Sequence, residues 1–386
     1  MLPYEANFAA VFGEGYQAFS FWKARIALYA ILKALDLKNG DEVILPGYTC
    51  VVVPNAVQYA GATPIYADIA LGDYNLDPAS VQQCITPRTR AIIVQHTYGI
   101  PADMDALRAL ADQHQVYLIE DCAHVLLDSP PRGRLLGSAS IAAFFSFQWS
   151  KPYTTGLGGM AVTHDRELAK RLTTIHKTFC EPPVRHRIQL QIQYMLYRRF
   201  FGPRLYWFAQ QLLHTLSQLG LFVGSSSTAE LTGAMPTDIH WRMSSFQKAV
   251  GMPQIRAVGD NAERRQHLTR YYADVLQRHA WPVEESFNSK DVILLRYPLQ
   301  VTEKRQVLEA ARRSHIEIGS WFETPLHPLP LSDHPLIKYQ PGSCPVAEQT
   351  AAHVINLPLH ERISQPDAER IMRLVLSQAS PMSNHL

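Results

Sequence analysis

The chain has 386 residues, 47% hydrophobic and 18% charged, with a formal net charge of +2; it is too long for one ordinary core, so a large domain plus a smaller one is expected. The composition is globular rather than disordered or fibrous, and a near-neutral charge without a zinc-finger or basic-region pattern argues against a nucleic-acid partner. Cys50, Cys84, Cys122, Cys180 and Cys344 are widely spaced and contain no CxxC pair, which speaks against a disulfide framework or a zinc site and fits a reducing cytosol.

From about Asp41 to Asp165, short apolar runs alternate with amphipathic stretches. The strand candidates are EVILP (42–46), TPIYADI (63–69), AIIVQHT (91–97), VYLIED (116–121), IAAFFSF (141–147) and GMAVT (159–163); they are rich in Val, Ile, Tyr and Phe and mostly followed by turn residues. Between them, Leu107, Leu110 and Ala111 fall at helical spacing within 104–114, and Asp165 and Glu167 open another helix where acidic side chains suit the positive end of the dipole. Such alternation predicts an α/β fold with a mostly parallel sheet covered by helices. Ligands then sit beyond the carboxyl ends of the strands.

The pattern changes after about residue 180. Residues 182–235 are aromatic and basic and read as two or more amphipathic helices, one supported by the stripe Leu205, Phe208, Leu212, Leu216, Leu219. The apolar stretch 205–224 is interrupted by Gln210, Gln211, His214 and Gln218, which makes it a poor spanning helix. The aromatics of this region are expected to bury against the large domain or in a dimer interface, with a membrane-surface role for 194–223 as the lesser alternative. One long helix is expected from Ser244 through the stretch ending at His279. Alternation then returns in DVILLRYPLQV, a helix over 303–314, IEIGSWF, VINLPL and a last helix beginning near Gln365. The expected division is a large domain over 1–254 and a smaller α+β domain over 255–386. The N-terminal residues lack the basic start and long apolar run of a signal peptide, so a cytoplasmic protein is expected.

Three features fall at predicted strand ends. Asp121 ends VYLIED, Ser146 lies in FFSFQWSK with Lys151 five residues beyond, and Gly158-Gly159 follow in TTGLGGM. Taken singly, an Asp there is usually a turn former and a Ser or Lys is usually solvated. Their joint arrangement, with PGYTCVVVPNAVQYAGATPIYADI, TPRTRAIIVQHTYGIPADMDAL, IEDCAH, HWRMSSFQKAVGMPQI, ETPLH and INLPLH in this order, resembles the DegT/DnrJ/StrS sugar aminotransferases over nearly the whole chain.

The resemblance implies the fold-type-I architecture of the aspartate aminotransferase superfamily, with pyridoxal 5′-phosphate held by Lys151 as a Schiff base. It assigns Asp121 to the cofactor's ring nitrogen; a carboxylate about 4 Å from a pyridinium is worth roughly 4 kcal/mol at an effective dielectric near 20, enough to keep the ring protonated and electron-accepting. Released Lys151 would move the substrate proton. His124 matches a residue near the phenolic oxygen, Ser146 matches the phosphate-binding serine, and His327 in ETPLH matches a substrate contact. Four residues at three places depart from the family. Ala24-Arg25 stand where it has Gly-Thr at a helix start, leaving the backbone amides and the Arg25 guanidinium as phosphate ligands. Cys50 replaces a ring-stacking aromatic, so either another side chain covers that face or the thiol packs on it. His240 replaces an Asn that reaches the phosphate across a homodimer interface. The function implied is transfer of an amino group from an amino acid, glutamate foremost, to a keto-sugar that is nucleotide-linked, for amino-sugar, polysaccharide or secondary-metabolite assembly. The alternatives are a non-sugar ketone or aldehyde acceptor, and a regulatory protein that kept the fold without catalysis.

Overall fold

The computed structural model describes residues 3–127, 135–200, 222–224 and 228–382, together with Phe208, Leu212 and Thr215. Its centre is a seven-stranded sheet of β1 (Gln17–Phe21), β2 (Glu42–Pro46), β4 (Thr63–Ala67), β5 (Thr89–Gln95), β6 (Tyr117–Asp121), β7 (Ala142–Ser146) and β8 (Gly159–Thr163). The strand order is β1-β8-β7-β6-β5-β2-β4. Neighbours from β7 through β6, β5 and β2 to β4 pair in parallel, and β8 alone runs against both β7 and β1. The six predicted strands of this region all form. β1 was not anticipated, because its partner is β8, more than a hundred residues further along.

Burial explains the patterning. β2 and β8 are buried at every position, as expected for strands covered on both faces. The helix Ala24–Ala34 contributes one apolar layer, with Ile26, Leu28, Ile31 and Leu32 fully buried. The predicted helices form at Met104–His114 and Arg166–Thr178, each capped by an aspartate (Asp103 and Asp165) accepting backbone N–H bonds.

In the C-terminal third, β9 (Arg296–Gln300) pairs antiparallel with β11 (Val354–Pro358), and helices Lys304–Arg313 and Gln365–Gln378 pack beside them. A two-residue β3 (Thr49–Cys50) pairs in parallel with β10 (Leu326–His327), tying this part to the central sheet's loops. IEIGSWF forms no strand; only Gly319 makes a bridge, to Asn356. The expected long helix is instead two, Ser245–Arg256 and Val258–Arg278, separated at Ala257. Pro253 lies in the first and has no N–H to give the preceding turn, and Ala257 N–H donates to Gln254 rather than one residue further back. The expected division at 254/255 falls inside the first of these helices.

Of the aromatic, basic region, the helix Val184–Phe200 is described, with a short turn at Thr228–Leu231. Tyr194 is buried against Trp149 and Phe246, and the Tyr197 hydroxyl donates to the Trp149 carbonyl. The exposed apolar side chains of this helix are aliphatic: Val184, Ile188, Ile192, Met195 and Leu196. The stripe Leu205 to Leu219 lies outside the described residues except Phe208 and Leu212, which are helical and exposed. Among the described residues no helix is long and apolar enough to cross a membrane.

Candidate active site

Alternation along β6 sends adjacent carboxylates to opposite sides. Glu120 accepts from Gly137 N, Ala139 N, the Ser140 hydroxyl and His96 Nε2. With Cys122 this cluster is compact enough to resemble a metal site, but His96 Nδ1 accepts from Ala102 N and every Glu120 oxygen is engaged. The cluster is a brace that fixes the end of β6. Asp121, 2% exposed, faces a cavity of about 220 Å³ instead.

That cavity lies beyond the carboxyl ends of β5, β6 and β7, where the topology predicts it. Lys151, Asp121, His124, Ser146, Ala24, Arg25, Cys50 and His327 all line it. Eight positions spread over three hundred residues of sequence thus meet in one place. His240 does not join them within its own chain; it is exposed, its ring against Tyr29 and Phe179.

Charge in the cavity is set by burial. Desolvation pulls the Lys151 amine down to about 8, against the opposing pull of Cys50 and Asp121. It raises Asp121 to about 6, although the Ala123 N–H, 2.9 Å from one carboxylate oxygen, and the Lys151 charge act the other way. At neutral pH the pair is therefore mostly ammonium and carboxylate, with a minor fraction of free amine. His124 is driven well below its ordinary value by burial, then by Lys151 and Arg296. It is neutral. Its Nδ1 accepts from the Tyr98 N–H at 3.0 Å, which leaves Nε2 as the protonated nitrogen and so a hydrogen-bond donor.

The end of the cavity at Ala24 is the N-terminus of the helix Ala24–Ala34. Gly159 permits this placement: a Cβ there would meet the Lys23 and Ala24 backbone at 2.4–2.6 Å. Lys23 pairs with Asp238 at 2.7 Å, and Arg25 is ion-paired with the fully buried Glu230. Asn55 donates to the Glu230 carbonyl at 2.7 Å, and Trp22 N–H to the Trp241 carbonyl. The segment after residue 228 is thus clamped onto the helix start. Neither acid was singled out in the sequence, since nothing local marks it.

Aromatic side chains line the same cavity as Cys50. Trp321, Phe322 and His124 stack with ring centroids 5.7–6.3 Å apart, and Trp321 carries Lys151 Nζ at 4.6 Å from its centroid. Burial pushes the Cys50 thiol up, so it is a neutral wall. His327 lies beside these rings, its Nδ1 accepting from Glu323 N at 3.3 Å, and burial lowers it to about 4.

A second, larger cavity of about 590 Å³ adjoins the first. Gln148, Lys151 and Trp321 line both. Its other walls include Tyr197, Arg264, Arg265, Arg296, Glu317 and Arg362, none of them picked out from the sequence. The arrangement places one amine between a compartment holding a buried carboxylate and a compartment rich in guanidinium groups.

A model of the DegT/DnrJ/EryC1/StrS aminotransferase family matches residues 2–198 and 209–376. GDP-perosamine synthase of Caulobacter vibrioides is 28% identical over 354 residues, covering 90% of this chain and 81% of that protein. The erythromycin biosynthesis sensory transduction protein EryC1 of Saccharopolyspora erythraea is 30% identical, covering 96% of this chain and 87% of its own. Among solved structures, S. venezuelae DesV in complex with a ketimine intermediate superposes with a TM-score of 0.73 at 28% identity, covering 96% of this chain and 86% of that one.

Proposed function

Since the chain belongs to the DegT/DnrJ/EryC1/StrS aminotransferase family, we propose that it uses pyridoxal 5′-phosphate, held by Lys151, to move an amino group from an amino acid, glutamate foremost, to a nucleotide-linked keto-sugar. The observation that carries this reading is the shared wall: Lys151 lines both cavities, with buried Asp121 in the smaller one. The printed activities of relatives support the substrate class, GDP-perosamine synthase among them, and the ketimine complex of DesV supports the cofactor.

The residues of the smaller cavity fit the cofactor. A carboxylate that stays ionised at neutral pH in a nearly closed site suits a protonated ring nitrogen, and neutral His124 offers a donor suited to a phenolate oxygen. The helix N-terminus at Ala24, with Ser146 and Arg25 beside it, suits a phosphate. The bound cofactor supplies an aldehyde and an electron-accepting ring. Lys151 supplies the amine that attaches it and, when free, the base that moves the substrate's Cα proton. Trp321 and Phe322 keep water from that amine on one side. His240 would complete the phosphate site only from a second copy of the chain.

Mixing the loaded protein with L-glutamate tests the reading: the visible absorption of the lysine-bound cofactor should fall as 2-oxoglutarate appears, and a keto-sugar nucleotide should restore it. A protein that binds cofactor but never passes through this cycle with any amino donor is a regulator, not a transaminase. The Lys151 value adds a pH signature. Only the unprotonated amine attacks an aldehyde, so capture of added pyridoxal 5′-phosphate should quicken about tenfold per pH unit below about 8 and level off above it. A lysine of ordinary acidity would keep quickening beyond pH 9.

A further inference from the structure

The segment around Trp321 forms no strand, so its backbone groups have no ladder to satisfy them. Side chains from distant segments take that place. Trp321 N–H donates to Asn356 Oδ1 at 2.6 Å, and the Trp321 carbonyl accepts from the Tyr98 hydroxyl. Phe322 N–H donates to the Tyr48 hydroxyl at 3.4 Å, and the Phe322 carbonyl accepts from Lys304 Nζ at 3.3 Å. The two tyrosine hydroxyls lie 2.7 Å apart. A directed chain therefore runs from Phe322 N–H through Tyr48 and Tyr98 back to the carbonyl of the same peptide. Tyr48, Tyr98 and Asn356 are fully buried, and a satisfied buried network of this kind fixes the groups it holds. Here it holds the dipeptide whose indole lines both cavities.

Lys151 Nζ lies over that indole, 4.6 Å from its centroid. On the aminotransferase reading, Lys151 alternates between an attached and a free amine, and the free amine moves the substrate proton. A long flexible side chain loses that task to its own rotamer freedom unless something holds it. A carboxylate would hold the ammonium strongly and oppose its deprotonation. An indole face attracts the cation without forming an ion pair, which keeps the amine in place and still able to give up its proton. We propose that Trp321 is a positioning residue for the free Lys151 amine, and that Tyr98 and Asn356 hold the indole where the amine needs it. This rests on the aminotransferase reading above.

The test compares wild type with Trp321→Leu, Trp321→Phe and Tyr98→Phe, the last of which removes only the hydroxyl on the Trp321 carbonyl. Reductive methylation of the cofactor-free chain with isotope-labelled formaldehyde marks its lysine amines for NMR, and the Lys151 signal is the one missing from Lys151→Arg. In wild type its N-methyl protons should be displaced upfield of those of exposed lysines by the indole ring current. Trp321→Leu should abolish that displacement, and Trp321→Phe and Tyr98→Phe should retain part of it.

With pyridoxal 5′-phosphate bound and L-glutamate saturating, the rate at which the visible band falls should drop roughly 30- to 100-fold in Trp321→Leu and about 3- to 10-fold in the two milder variants. The isotope effect of Cα-deuterated L-glutamate should grow in the same order, because proton transfer is the step impaired. Arg296 also rests on this ring, so half-saturation is expected to shift as well, and the saturating rate with its isotope effect carries the test. No upfield displacement in wild type overturns the proposal and leaves the aminotransferase reading intact. So does a saturating rate unchanged in the Trp321 variants, whatever happens to half-saturation. If Trp321→Leu does not fold, the two milder variants make the same comparison. A wild type that shows the displacement but responds to neither L-glutamate nor L-glutamine removes the aminotransferase reading and the positioning role together.

Discussion

Replacing Lys151 with alanine is expected to abolish the visible absorption that added pyridoxal 5′-phosphate gives the wild-type chain and to cut amino transfer by at least about 10³-fold. Among the described residues no other lysine lines the smaller cavity except Lys23, and that amine is held by Asp238 at 2.7 Å. Persistence of the band in Lys151→Ala would assign the attachment to another amine and remove the central claim. The substitution also has a stability signature that separates lost chemistry from lost folding. Burial lowers Lys151 from an ordinary 10.5 to about 8 in the folded chain. Between those values the unfolded chain binds more protons than the folded one, so stability rises with pH across that window. The cost of the buried ammonium, about 3 kcal/mol, is fully present below about pH 8 and disappears as pH rises through 10.5. Cofactor-free Lys151→Ala should therefore unfold no more easily than wild type at pH 7, even after losing the packing of the lysine stem, worth about 1–2 kcal/mol. That advantage should be gone near pH 11. Urea titrations at the two pH values measure both.

Arg25→Ala is expected to destabilise the cofactor-free chain by about 3–5 kcal/mol, because it leaves the Glu230 carboxylate buried without its cation. The double variant Arg25→Ala with Glu230→Gln should recover much of that loss, since no buried charge then stands alone. Cofactor affinity separates the two roles open to Arg25. If the guanidinium binds the phosphate, Glu230 competes with it. Glu230→Gln alone should then tighten pyridoxal 5′-phosphate binding, and the double variant should bind it more weakly than wild type. If Arg25 serves only to clamp the 228–242 segment onto the helix start, both variants should bind cofactor as wild type does once folded. Urea midpoints with and without cofactor, together with titration of the visible band, distinguish these outcomes. On the proposed reading, the Arg25–Glu230 pair brings little net charge to the cavity, and a phosphate there would rest more on the helix N-terminus at Ala24 and on Ser146 than on Arg25.

Much of this protein was legible in its sequence. Runs such as EVILP and VYLIED read as buried parallel strands, because short apolar runs rich in β-branched and aromatic residues between turns suit strands covered on both faces. Asp121, Ser146 and Lys151 follow those runs directly, so their convergence at the carboxyl ends of the strands was fixed by strand direction. The break at Ala257 was masked by the helical periodicity on either side. The rest depended on contacts between distant segments. Glu230 meets Arg25 across 205 residues, and Trp321 and Phe322 join the cavity wall from the C-terminal third. Sequence determined which residues stand at the strand ends and what chemistry they bring, because backbone periodicity is local. Tertiary structure decided which charges are answered, which face is walled and where the second cavity opens, because desolvation and pairing depend on neighbours that the chain brings together only by folding.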